Sequence, residues 1–153
     1  GRLASLGYDV ALFIDSDAKA HVGKAGDARV IAWHEGLCTE QCLSNDLPEA
    51  ALEVMATFAS ERGGRSVRDA LADHLGAHRA SLREGDPASW VASTGVDAFR
   101  KAFGSVSKNK KQAWFKNREG GLLLGSLAAE HLGKISTTPT HDVITKLRTF
   151  VHG

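Results

Sequence analysis

Asp15 and Asp17 follow an apolar run, Val10-Ala11-Leu12-Phe13-Ile14, and stand two residues apart. In an extended chain residues i and i+2 point the same way, so the two carboxylates would project together. Anions held that close repel unless a cation lies between them. A donor set made only of oxygens selects Mg²⁺ or Mn²⁺ over Zn²⁺. The alternative is that one aspartate caps a following helix while the other is solvated. Further along stands Trp33-His34-Glu35-Gly36-Leu37-Cys38-Thr39-Glu40. Glu35 falls in a loop and Glu40 at or near a helix start, and either could complete a cation site. The other reading of Glu40 is a first-turn glutamate favoured by the helix dipole.

A second group is basic. Seven cationic residues lie between Arg100 and Arg118 (Arg100, Lys101, Lys108, Lys110, Lys111, Lys116 and Arg118), with no acidic residue among them. Such a cluster can neutralise phosphates and bind nucleic acid in a salt-dependent, sequence-independent way; otherwise it is a solvated face. Trp114 and Phe115 could stack on an unpaired base, but large aromatics more often fill a core, and a core placement is expected. His34, Cys38 and Cys42 have i, i+4, i+8 spacing, and His74 and His78 have i, i+4 spacing. Zinc sites use such residues, yet Gly36 argues against a helix through His34. Cys38 and Cys42 are therefore expected as small core residues, and His74 and His78 as exposed or packing residues.

The elements that would position these groups change character along the chain. Leu3 to Leu6 read as the end of a helix closed by Gly7. Residues 10–14 read as a strand buried on both faces of a parallel sheet. A short helix over 18–24 and a second strand over 29–33 complete a βαβ-type unit. Both strands would then end at the sheet edge where α/β folds hold ligands. Asp46-Leu47-Pro48-Glu49 is a helix-start pattern, with Asp46 as cap. Ser66-Val67-Arg68-Asp69 is another, opening a helix to about Arg79. Val96, Phe99, Ala102 and Phe103 suggest a further helix, followed by a loop over 104–111. Residues 112–116 and 121–132 read as helical. Thr138-Pro139 begins a last helix with Val143, Ile144, Leu147, Phe150 and Val151 on one face. The fold class is α/β at the start and nearly all helix after it.

A chain of 153 residues has room for one domain, or one domain and a subdomain, with a core that needs no disulfide or metal. At 42% hydrophobic and 24% charged residues, composition excludes disorder, collagen and coiled coil. Net charge is +1, but it is unevenly spread. Residues 1–61 carry ten acidic and four basic side chains, a net of −6, and residues 62–153 carry eight and fifteen, a net of +7. No apolar run reaches the roughly 18 residues of a membrane span, and the first residues do not read as a signal peptide. Two cysteines without a disulfide framework fit a reducing cytoplasm. The first residues read as the middle of something longer.

The stretch Leu6-Gly7-Tyr8-Asp9-Val10 to Asp15-Ser16-Asp17, then Trp33-x-x-Gly36-x-x-x-Glu40, then Asp46-Leu47-Pro48 resembles the Toprim region of OLD-family (overcoming lysogenization defect) ATP-dependent endonucleases. Trp114-Phe115-Lys116 with Gly120-Gly121 and Leu124-Gly125 resembles the lysine-bearing C-terminal element of that family. These blocks cover about a third of the chain, in the family's order.

The resemblance implies a partial Toprim-like, Rossmann-like parallel sheet with a largely helical C-terminal region. It divides the chain into a partial Toprim core over 1–47, a helical subdomain over 48–107 and a helical element over 108–153 that carries Lys116 back onto the core. It implies a Mg²⁺- or Mn²⁺-dependent endonuclease acting on DNA through two cations about 3.5–4 Å apart. Asp15 and Asp17 would be metal ligands and catalytic, Glu40 a supporting ligand, and Lys116 the catalytic lysine facing the phosphate. Ser16 could hold an outer-shell water. ATP would act only at a separate ABC-type ATPase domain of the parent, a homodimer could form through that parent, and no membrane is involved. The family's glutamate-bearing first strand is expected upstream of Gly1, so the chain by itself should cleave poorly. Two other readings are a haloacid-dehalogenase-like phosphatase with Asp15 as nucleophile, where Lys19 departs from the expected Thr or Val, and a non-catalytic DNA-docking or oligomerisation module.

Overall fold

A computed structural model describes residues 3–15, 22–23, 26, 28–34, 36–109, 112 and 114–152, with the side chains of 4 and 77–79 left out. Asp17, Ser16, Glu35, Lys110, Lys111 and most of the helix expected over 18–24 lie outside the described residues. The chain is a mixed α/β structure, mostly helical, with one small parallel sheet among the described residues.

The apolar run forms β1 (Ala11–Ile14), which pairs in parallel with β2 (Arg29–Ala32), Ala11 opposite Arg29 and Ile14 opposite Ala32. Backbone hydrogen bonds from Arg29 N–H to the Val10 carbonyl (2.8 Å) and from Trp33 N–H to the Ile14 carbonyl (3.2 Å) extend the ladder at both ends. The sheet edge and its direction are as expected. Burial of β1 on both faces is not: Leu12 is 39% and Phe13 45% exposed. Alternate residues face opposite sides of a strand. Phe13 lines a cavity, and Leu12, on the opposite side, is exposed.

Before the sheet, a single 3-10 turn (Ala4–Leu6) is closed by Gly7 at φ +81°, a backbone state favouring glycine. After β2, α1 (Thr39–Asp46) begins at the sheet's carboxyl edge. The expected cap at Asp46 is corrected. Asp46 ends α1, and α2 (Glu49–Gly63) starts after Pro48, whose carbonyl accepts from Ala51 N–H at 2.9 Å. The Asp46 carboxylate instead accepts Thr140 N–H at 3.1 Å, and Thr140 Oγ1 donates to the Cys42 carbonyl at 3.2 Å. These two bonds tie α1 to the start of α7 (Pro139–His152).

The helix expected from Ser66 to Arg79 is α3 (Arg65–Leu75), preceded by Gly64 at φ +55° and followed by a 3-10 stretch, Gly76–Ser81. Ser66 makes no capping box. Its hydroxyl donates back to the Gly63 carbonyl at 2.6 Å. Gly76 takes φ +51°, which ends the α-helix four residues early. A short α4 (Ser89–Thr94), not expected from sequence, precedes α5 (Val96–Ser107). The loop expected at 104 therefore starts only after Ser107. Gly104, read as a loop residue, lies inside α5 facing α1, where an added Cβ would make an ordinary contact, 3.6 Å from Gln41 Cα. Residues 112 and 114–117 form turns rather than a helix, and α6 (Arg118–His131) follows. The last helix begins at Pro139 as expected, but Val151 is 69% exposed and leaves the apolar face.

Two apolar clusters result. The larger joins Leu47, Leu52, Met55, Leu71, Trp90, Phe99 and Phe103 to Trp114, Phe115 and Leu124. The smaller sits between the sheet and α7, around Ile31, Trp33, Cys42 and Val143. Each buried large apolar side chain contributes about 1.5–3 kcal/mol. No helix among the described residues is long and apolar enough to cross a membrane.

Candidate metal and phosphate site

Asp15 stands directly after β1, and one of its oxygens, Oδ1, accepts two hydrogen bonds from Thr39: the backbone N–H at 3.1 Å and Oγ1 at 3.1 Å. Trp33 Nε1 donates to the same Thr39 hydroxyl at 2.7 Å. The Trp33 ring meets Phe13 edge-on, with centroids 5.2 Å apart. This chain fixes the first residue of α1 to both strand ends. It also partly realises the capping alternative for the aspartate pair, although the helix Asp15 meets is α1 rather than one directly following it. Among the described residues, both of these bonds to Asp15 fall on Oδ1 and none on Oδ2.

Glu40, the second residue of α1, is buried at 6% exposure and lines the same cavity as Asp15. A buried carboxylate needs a compensating charge or donors, and the α1 N-terminus supplies part of it. No described Lys, Arg or His forms an ion pair with Glu40. Burial pushes the Cys38 thiol up to about 11, partly opposed by a hydrogen bond at the Gln41 backbone, and the negative charges of Glu40 and Asp15 push the same way as burial. Burial likewise pushes the Cys42 thiol to about 11, with a backbone hydrogen bond at His34 opposing and the charges of Asp46, Cys38 and Asp15 adding. Both thiols are held protonated at neutral pH. Cys42 is buried as expected and Cys38 half-buried. Among the described residues no group of three or more His, Cys, Asp or Glu converges as a ligand cluster.

Lys116 reaches the same cavity from the other half of the chain. Its backbone is held on both sides. Phe115 is buried, stacked on Phe58 at 5.5 Å and edge-on to Phe103 at 6.1 Å. Asn117 caps α6 by accepting Gly120 N–H at 2.7 Å, and its Nδ2 donates to the Trp114 carbonyl at 3.3 Å. The Lys116 side chain itself is exposed. Trp114 and Phe115 are 5% and 4% exposed. They belong to the core as expected, and the alternative of stacking on a base is corrected.

The cavity has a volume of about 830 Å³, within the roughly 300–1,000 Å³ of small-molecule sites. Its charged lining is Asp15, Glu40, Lys116 and Arg148, and its walls include Phe13, Leu124, Ile144 and Leu147. The structure thus brings together three of the four expected site residues, Asp17 lying outside the described residues. The all-oxygen donor pair of Asp15 and Glu40 suits a hard cation such as Mg²⁺ or Mn²⁺. The rest of the basic cluster divides. The Arg100 guanidinium donates to the carbonyls of Ser44 (3.0 Å) and Asn45, capping the end of α1, so it is structural rather than a free phosphate contact. Lys101 and Lys108 are exposed. His74 is exposed, with its ring Nδ1 3.1 Å from the Ala70 carbonyl.

Two site residues carry no motif. Thr39 holds Asp15 through its backbone N–H and hydroxyl, and the hydroxyl beside Glu40 is its one sign in the sequence. Arg148 interrupts the apolar face of α7 one turn after Ile144, which was the available sign. Comparison with family models, with curated protein sequences and with solved structures finds no match.

Proposed function

We propose that this chain is the nuclease part of an OLD-family endonuclease, a Toprim-like region that hydrolyses DNA phosphodiester bonds with Mg²⁺ or Mn²⁺. The observation that carries this reading is the shared cavity. Asp15 at the end of β1, Glu40 at the start of α1 and Lys116 before α6 come from distant stretches yet line one space at the carboxyl edge of a parallel sheet. The sequence blocks that resemble the family contribute those same residues.

In this reading Asp15, through Oδ2, and Glu40 hold the cation side of the site, together with Asp17. Bound cations there would supply Lewis-acid stabilisation of the phosphate oxygens and lower the pKa of a water. Thr39 keeps Asp15 Oδ1 fixed, which sets the direction of the remaining oxygen. Lys116 offsets negative charge on the phosphate as it develops, and its buried neighbour Phe115 and capping neighbour Asn117 hold its backbone in place. The parent would supply the ATPase domain and any dimer contact, in a cytoplasmic setting.

The test is cleavage of supercoiled plasmid with Mn²⁺, by the chain and by the longer parent protein. Asp15→Asn, Glu40→Gln and Lys116→Ala should each lower parent cleavage by roughly 10²-fold or more, the scale for removing one electrostatic group from such a site. Wild-type rates in all three variants would overturn the assignment.

A further inference from the structure

Arg148 is the second cation of the cavity, and the sequence blocks give it no role. It sits on α7 one turn beyond Ile144 and next to Leu147, both of which line the same space. Its stem can lie along that apolar wall while its guanidinium reaches the rim. Neither Arg148 nor Lys116 has an ion-pair partner among the described residues, although Asp15 and Glu40 share their cavity. Both are exposed cations on the cavity lining, open to an anion that is not part of the protein. Lys116 offers a point charge and Arg148 a planar fork that matches phosphate oxygens in two places.

We propose that Arg148 is a phosphate-binding residue of this site, holding the phosphate of a nucleic-acid strand next to the one at Lys116 and so fixing the register of the strand over Asp15 and Glu40. It rests on the nuclease reading for the identity of the strand, but its own chemistry is independent of metal.

Binding of a labelled oligo(dT) strand is measured by fluorescence anisotropy in EDTA over a range of salt concentrations. Arg148→Gln should weaken binding and lower the slope of log K against log salt by about 0.7, the loss of one single-strand phosphate contact. Arg148→Lys should restore most of the slope. The control is Lys146→Gln, which removes the same charge two residues away, where α7 and β2 border a separate groove. It should leave the slope within half that amount. A wild-type slope in Arg148→Gln, or an equal loss in Lys146→Gln, overturns the proposal. So does a large fall in melting temperature in Arg148→Gln without a slope change, which would make the residue structural. A Mn²⁺ titration of the same proteins separates the two ideas. No Mn²⁺ binding by wild type, with the Arg148 slope effect intact, sinks the metal-nuclease reading and leaves the phosphate site standing.

Discussion

Gly120 and Gly121 are adjacent in the first turns of α6, yet alanine should act on them in opposite directions. A methyl group at Gly120 would lie 2.5 Å from Phe115 Cα, 2.7 Å from its carbonyl oxygen and 2.8 Å from its carbonyl carbon. Ordinary contacts at such a carbon fall at 3.4–4 Å. The obstacle is backbone, which cannot rotate aside, and it belongs to a residue wedged between Phe58 and Phe103. Overpacking of this kind costs about 1–3 kcal/mol. Alanine regains about 0.8–1 kcal/mol of helix propensity over glycine. The net for Gly120→Ala is a loss of up to about 2 kcal/mol, or a fall of up to roughly 8 °C in Tm for a chain of this size. At Gly121 nothing lies within 4 Å of the added methyl. Only the propensity and chain-entropy gain of about 0.4–1 kcal/mol remains, a rise of roughly 1–4 °C. Differential scanning calorimetry on the two variants decides it. Because Lys116 follows Phe115, Gly120→Ala should also weaken oligonucleotide binding. A Tm shift of the same sign in both variants would refute the packing account of the Lys116 segment.

Phe103 is fully buried, with ring centroids 5.2 Å from Phe99 and 5.9 Å from Trp114. Phe103→Ala should cost about 3–5 kcal/mol in urea unfolding, and a loss under about 1 kcal/mol would contradict the central place given to that aromatic group. Raising the Cys38 and Cys42 thiols from 9.0 to about 11 cuts the thiolate fraction near neutral pH about 100-fold. Native-state alkylation by iodoacetamide should be slower than in urea by at least that factor, and comparable rates would count against it. Both folded-state values lie above the unfolded one, so this contribution to stability is complete below pH 9 and is lost as pH rises toward 11.

The sequence was most legible where one local signal decided the outcome. The apolar run before Asp15 forms a strand as read, although its expected burial on both faces fails at Leu12 and Phe13, and Pro139 starts α7 because its missing N–H costs nothing there. It was least legible where two local signals competed and a distant contact chose between them. Asp46 looks like a cap for α2, but Thr140, far along the chain, takes its carboxylate. Gly104 looks like a loop residue, but it is buried inside α5 on the side that faces α1. In the site, Asp15, Glu40 and Lys116 were marked by motif. Arg148 was not, since only the packing of α7 beside the sheet brings it to the same cavity. The uneven charge along the chain also gains a location: acidic Asp15 and Glu40 and basic Lys116 and Arg148 meet in one space.

The most direct measurement is a calorimetric Mn²⁺ titration of wild type and Asp15→Asn. Asparagine keeps an Oδ1 that can accept both Thr39 hydrogen bonds, so the link from β1 to α1 survives while the charge is removed. Far-ultraviolet circular dichroism and Tm should change little, by about 1 kcal/mol or less for the lost carboxylate–dipole interaction. Wild type should bind Mn²⁺, and Asp15→Asn should lose at least tenfold in affinity while staying folded. Equal Mn²⁺ affinity in the two proteins would contradict the assignment of this cavity as a cation site.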